Sequence, residues 1–321
     1  MTRVTAAISA ALIWTALSVL PASAADKVVL MLNWYVYGEH APFYYGKAKG
    51  IYAAEGIDLE IQEGRGSAAT TQAVAAKTAN FGYVDVPTMM RAAVKGAPIV
   101  ATGVLLQTSP MSAMGFVEKN IKKPEDIKGK TVAITPADSM TQIWPLFLKK
   151  TGLKESDFQT VAGDGQTKLN AVINGQADLL LGYVMDQSMK IKDATGKDVN
   201  AIKFADYGIN MVCSGVVANT EFVKANADLV KRFMSATPKA VEAAEKEPKA
   251  AAQSILDANP KGGKIETLPQ GFELTIPLYR TAETKGKRPF QVTDQNMTDT
   301  VNLMVEYGGL EAKAKDNPKA F

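Results

Sequence analysis

The sequence predicts an α/β protein of two similar lobes, with a ligand cleft between them and a helical C-terminal part. Three observations predict it. Short apolar runs alternate with helical segments along most of the chain, the pattern expected of largely parallel sheets. The alternation restarts once, near residue 110, and beyond residue 219 helical segments dominate. In the first block, strands are expected at Val28–Leu32, Leu59–Ile61, Phe81–Val84 and Ile99–Leu106, because each is a short apolar run of strand length. Helices are expected between them at Ala41–Lys49, Ser67–Ala79 and Pro87–Lys95. After the polar, proline-containing stretch Gln107–Met111, strands are expected at Thr131–Ile134, Thr160–Ala162 and Leu179–Leu181, with helices at Met140–Lys150 and Thr167–Asn174. A further apolar run, Met211–Ala218, leads to expected helices at 219–236, 239–258, 272–284 and 294–306. The C-terminal helices have no strands of their own to cover. We therefore expect a discontinuous first lobe, residues 26–110 plus 217–321, a second lobe of 111–216, and a hinge near Thr108–Met114 and Ser214–Ala218.

The first residues set the compartment. Arg3 precedes an apolar stretch from Val4 to Leu20, and Pro21-Ala22-Ser23-Ala24 supplies small residues spaced for cleavage. That combination reads as a signal peptide over residues 1–24, too short and alanine-rich for a good membrane span. The expected product is a periplasmic, monomeric protein, untethered because no cysteine follows the cleavage site. With roughly 150 residues per domain, the remaining length suits two domains. A hydrophobic content of 46% suffices for two cores, and the net charge of +3 falls by one when Arg3 is removed. The lysine-rich run 119–130 is broken by Asp126 and Glu125, and aromatics are not interleaved, so nucleic acid is not an expected partner.

Composition also restricts catalysis. Cys213 is the single cysteine and His40 the single histidine, so neither an intrachain disulfide nor a zinc site of several His or Cys ligands can form. Cys213 sits in an apolar run and reads as a small buried hydrophobe. A Ser-His-Asp triad would need His40, and no Gly-x-Ser-x-Gly elbow is present to supply the serine. We expect no enzyme activity, no cofactor and no metal.

Several stretches carry a family likeness: Leu32-Asn33-Trp34 followed by Glu39-His40-Ala41-Pro42-Phe43-Tyr44-Tyr45, then Lys49-Gly50-Ile51-Tyr52-Ala53-Ala54-Glu55-Gly56-Ile57-Asp58-Leu59. Gly66-Ser67, Asp85-Val86-Pro87 and Leu169–Asp178 add to it. In these features the chain resembles the periplasmic binding proteins of ABC importers for sulfonates, nitrate and thiamine-pyrimidine precursors, which share a domain with fungal thiamine-pyrimidine synthases. The resemblance implies a type II, Venus-flytrap periplasmic binding protein that delivers a small molecule to an ABC permease and its ATPase. The fungal enzymes are iron-dependent, carry a cysteine-rich motif and consume a lysine-bound pyridoxal phosphate with a histidine of the protein. Here the cysteine run is missing, although His40 falls in a comparable stretch.

Chemistry independent of that likeness selects candidate ligand-binding residues. Trp34, Tyr37, Glu39 and His40 combine flat apolar faces with polar tips just beyond a strand end, where a planar heteroaromatic ring could stack. Gly66 and Ser67 open a helix whose free N–H groups favour an anion or a carbonyl, and Asp138 and Ser139 repeat the arrangement in the second block. An N-cap serves equally well as the role of Ser67 or of the acids. Asp85, Tyr183 and Asp186 follow strands at the same ends. Carboxylates there accept hydrogen bonds from an exocyclic amine and repel a sulfonate or nitrate. The expected ligand is a thiamine-pyrimidine precursor or a similar amine-bearing heterocycle, with sulfonate, taurine or nitrate as the alternative.

Overall fold

The computed structural model describes residues 24–318 and Phe321, so the expected signal peptide lies outside the described residues except for Ala24. The first lobe begins with β1 (Asp26–Met31), α1 (Ala41–Ala48), β2 (Ile57–Gln62), α2 (Ser67–Ala75), β3 (Phe81–Asp85), α3 (Val86–Val94) and β4 (Ile99–Val104). The second contains β5 (Met111–Phe116), β6 (Thr131–Ile134), α4 (Ser139–Thr151), β7 (Gln159–Ala162), α5 (Gly165–Ile173), β8 (Leu179–Tyr183), α6 (Val184–Thr195) and β9 (Val199–Lys203). β10 (Ser214–Asn219) returns to the first lobe and leads into α7 (Thr220–Ala225), α8 (Ala227–Lys246), α9 (Pro248–Ala258), α10 (Leu268–Thr275) and α11 (Asp294–Glu306).

The two sheets share one plan. Their strand orders are β2-β1-β3-β10-β4 and β7-β6-β8-β5-β9. The βα steps pair in parallel, β1 with β2 and β3, and β6 with β7 and β8. In each sheet the fourth position is filled by a strand that has just crossed from the other half, and it runs antiparallel to both neighbours. The sheets are therefore mixed, where the sequence suggested largely parallel ones. The crossings themselves are residues 105–110 and 208–213, and they pair with each other: Cys213 N–H donates to the Leu106 carbonyl at 2.8 Å, and Leu105 N–H to that of Ser214 at 2.9 Å. The expected 216/217 boundary falls inside β10, which belongs whole to the first sheet.

Packing explains the remaining differences. Expected helices 219–236 and 239–258 assume a break at Pro238, but α8 runs through Pro238, and the chain breaks at Glu247, one residue before Pro248 takes the first position of α9. Burial of Phe233, Ala236, Thr237 and Ala240 along one face, against α1, outweighs the hydrogen bond lost to the proline. The expected helix 272–284 is shorter and starts earlier, as α10, then tightens into a 3₁₀ turn over Ile276–Tyr279 that holds Pro277. Gln107 N–H donates to the Leu278 carbonyl at 2.8 Å, which ties this turn to the first crossing segment. Aromatic pairs fill both lobes: Phe81 and Phe233 stack at 4.0 Å in the first, and Phe147 and Phe204 at 4.3 Å in the second.

Candidate ligand-binding site

Both sheets aim the C-terminal ends of their parallel strands at the gap between the lobes, the usual location of ligands in open α/β sheets. A cleft of about 430 Å³, part of it open to solvent, occupies that gap. The first lobe lines it with Asn33, Trp34 and Tyr37 beyond β1, and with Gly66 and Ser67 at the start of α2. The second lines it with Asp138 and Ser139 at the start of α4, Lys168 on α5, and Tyr183, Asp186 and Gln187 at the β8–α6 junction.

Trp34 bridges the lobes. Gly66, whose φ of +120° suits glycine alone, leaves its α-carbon bare beside the indole, 3.6 Å from where a β-carbon would reach the ring. From the opposite lobe Gly165, the first residue of α5, approaches so closely that a β-carbon would lie 2.5 Å from the same ring. The indole is thus clasped between two helix starts. Gly165→Ala keeps or improves the helix, because alanine outranks glycine there, yet overpacks the closed cleft by about 1 to 3 kcal/mol. We expect it to weaken ligand affinity about tenfold and to enlarge the radius of gyration of the ligand-bound protein in solution scattering, with no loss of melting temperature.

Further contacts hold the lobes together around the cleft. Thr88 and Ser139 hydroxyls are 3.2 Å apart, and Arg91 donates to the Gly308 carbonyl at 2.7 Å while also reaching Gln142 of α4. The Tyr35 phenol donates to Asp186 Oδ2 at 3.0 Å. Asp186 is 3% exposed, and burial pushes its pKa up to about 6 in spite of Lys190, the Tyr35 phenol and Lys168. It is the cleft's one carboxylate with no lysine at ion-pair distance among the described residues, since Asp138 Oδ2 takes Lys168 Nζ at 3.3 Å.

The expected residues Trp34, Tyr37, Gly66, Ser67, Asp138, Ser139, Tyr183 and Asp186 come together at the cleft, whereas Glu39, His40 and Asp85 do not line it. These three are fully buried, Glu39 and His40 against partners of the first lobe and Asp85 where the first lobe meets Tyr183 of the second. Glu39 accepts from the phenols of Tyr37 and Tyr83, the latter at 2.6 Å. His40 packs edge-on between Tyr37 and Tyr83, and burial pulls its pKa down to about 3, so the ring is neutral. Asp85 is the N-cap of α3, accepting from Thr88 N–H at 2.9 Å and its hydroxyl at 2.7 Å. Its second oxygen takes the Tyr183 hydroxyl and the Cys213 thiol, each at 3.4 Å, which joins β8 of the second lobe to the first. Ser67 and Asp138 also have local partners: Ser67 Oγ accepts Asp85 N–H at 2.9 Å, and Asp138 caps α4 through Thr141 N–H at 2.7 Å. Asn33, Lys168 and Gln187 line the cleft although sequence reasoning does not single them out as site residues. Asn33 stands inside the likeness motif, but Lys168 gives no signal, being one lysine on an otherwise ordinary amphipathic helix.

Two mixed sheets of this order around a shared cleft define the periplasmic-binding-protein fold. The aliphatic-sulfonate-binding protein SsuA of Escherichia coli superposes with a TM-score of 0.69 over 91% of each chain at 14% identity. The chain belongs to the NMT1/THI5-like family, whose profile matches residues 38–251. Its curated relatives include a 4-amino-5-hydroxymethyl-2-methylpyrimidine phosphate synthase of Legionella pneumophila, 25% identical across 81% of this chain and 78% of the relative. They also include the riboflavin-binding protein RibY of Chloroflexus aurantiacus, 23% identical across 92% of this chain and 85% of that one.

Proposed function

We propose that this protein is the periplasmic solute-binding component of an ABC importer, and that it captures a small, planar, amine-bearing heterocycle of the thiamine-pyrimidine-precursor class without transforming it. The observation that carries the reading is the pairing, across one cleft, of the Trp34 indole from one lobe with the Asp186 carboxylate from the other. A flat ring stacks on the first and its amine donates to the second, so the ligand engages both lobes only when they are closed. Both relatives named above are called after nitrogen heteroaromatics, a pyrimidine and a flavin, which supports the same ligand class. Residues 26–110 with the C-terminal helices would move as one body and the second sheet with its helices as the other, about the paired crossings.

One observation favours an anion instead: Lys168 is a buried cation on the cleft wall. Its charge is already matched by Asp138, which leaves Asp186 to set the balance. Against a synthase stand the single buried cysteine and the sealed, neutral His40. Titration calorimetry against 4-amino-2-methylpyrimidine and its 5-hydroxymethyl derivative, taurine, an alkanesulfonate and nitrate tests the reading. Tightest binding is expected for an aminopyrimidine, and tightest binding for any of the anions overturns it.

A further inference from the structure

Two buried side chains that the ligand cannot touch stand directly behind the cleft wall, and their hydrogen bonds dictate what that wall offers. Tyr37 N–H points at His40 Nδ1 over 3.4 Å, so that nitrogen carries a lone pair. The proton of the neutral ring is then on Nε2, which donates to Asn33 Oδ1 at 2.8 Å. With its oxygen turned back to His40, the Asn33 amide directs its NH₂ toward the Tyr37 hydroxyl and the cleft it lines. Beside it, the Tyr37 hydroxyl spends its one proton on Glu39, whose other oxygen is taken by Tyr83 at 2.6 Å. Tyr37 therefore has no proton to offer the cleft, only lone-pair density, part of it directed at the neighbouring Asn33 amide.

We propose that Glu39 and His40 are positioning residues that fix the hydrogen-bond sense of the cleft wall, Tyr37 as acceptor and Asn33 as donor, and so select a ligand edge carrying an N–H next to a lone pair. A 4-aminopyrimidine has that edge, one amino N–H facing Tyr37 and the ring nitrogen facing Asn33, which leaves the other amino N–H for Asp186. The 4-oxo counterpart presents the reverse, a ring N–H beside a carbonyl. A mismatch leaves buried donors facing donors, which is why hydrogen-bonding sites reject the wrong partner far more strongly than apolar pockets do. This inference rests on the heterocycle reading of the same cleft and makes it more specific: it names the edge and the residues that enforce it.

The test is the ratio of affinities for 4-amino-2-methylpyrimidine and 2-methylpyrimidin-4-one, measured by calorimetry at pH 7.5. The wild-type protein should favour the amino compound by tenfold or more. Asn33→Asp keeps an oxygen for His40 and turns the donor into an acceptor; each compound then meets one matching and one mismatched group, so the ratio should fall to about one. Glu39→Gln offers its two phenols one acceptor and one donor, which allows Tyr37 to turn its proton to the cleft, and should cut the ratio at least fivefold. A role in folding alone would weaken both compounds together and leave the ratio unchanged. If Glu39→Gln does not fold, Asn33→Asp decides. A wild-type preference for the amino compound that survives Asn33→Asp overturns the inference and leaves the heterocycle reading standing. Binding of neither compound by the wild-type protein overturns both.

Discussion

Replacing Trp34 by alanine should weaken binding of an aminopyrimidine about 10- to 100-fold while leaving the melting temperature of the unliganded protein within a few degrees of wild type. Stacking of a flat base on an aromatic side chain contributes roughly 1 to 3 kcal/mol per ring, and the indole is a large flat face approached by both lobes. The structural cost is small because the ring is only partly buried, lining the cleft at the margin of the core. Trp34→Phe should recover most of the affinity, since it restores a face without the full indole. Calorimetry of the three proteins against 4-amino-2-methylpyrimidine reads the effect. Equal affinities would mean that the ligand sits elsewhere.

Asp186→Asn should act in opposite directions on binding and on stability. Burial lifts the Asp186 pKa from its ordinary 3.8 to about 6. Between those two values the folded protein binds more protons than the unfolded chain, so stability falls as pH rises through that window. At pH 7 the carboxylate is ionised at a cost of as much as about 3 kcal/mol, taking 1.36 kcal/mol per pKa unit. An asparagine escapes that cost and still accepts from Tyr35, so the variant should melt higher than wild type at neutral pH. Its affinity for the amine should drop about 10- to 100-fold, as expected when a charged acceptor is lost from a buried hydrogen bond. In the wild-type protein the ionised fraction declines below pH 6, and affinity should weaken by up to tenfold per pH unit from there. The Asp186→Asn protein should lack that component of the pH profile, and a wild-type affinity that instead rises in acid would point to an anionic ligand.

These expectations depend on features of different visibility in the sequence. The βα alternation and its restart near residue 110 are legible because buried parallel strands must be short continuous apolar runs. β5 is not legible: Met-Ser-Ala-Met-Gly-Phe is wholly buried but contains no β-branched residue, and its place in the sheet comes from tertiary pairing with β8 and β9. β9, Val-Asn-Ala-Ile-Lys, is an edge strand with one fully buried side chain, so it shows no clear alternation. At the cleft, Trp34, Tyr183 and Asp186 are readable as polar-tipped residues just past strand ends. The same rule misplaces Glu39, His40 and Asp85. Composition marks a loop as a site but not which of its side chains turn inward, and here the 3₁₀ turn at Gly38–His40 and the cap of α3 turn all three toward protein partners. Lys168 escapes notice for the opposite reason, because burial of a lysine depends on a partner 30 residues away that only the fold brings to it.

The most direct test is a crystal structure of the protein with the ligand that co-purifies with it, or with 4-amino-2-methylpyrimidine if none does. We expect a planar ring against the Trp34 indole of one lobe, with its amine within hydrogen-bond distance of the other lobe's Asp186. A ligand held by one lobe alone, or outside the gap between the sheets, contradicts the account.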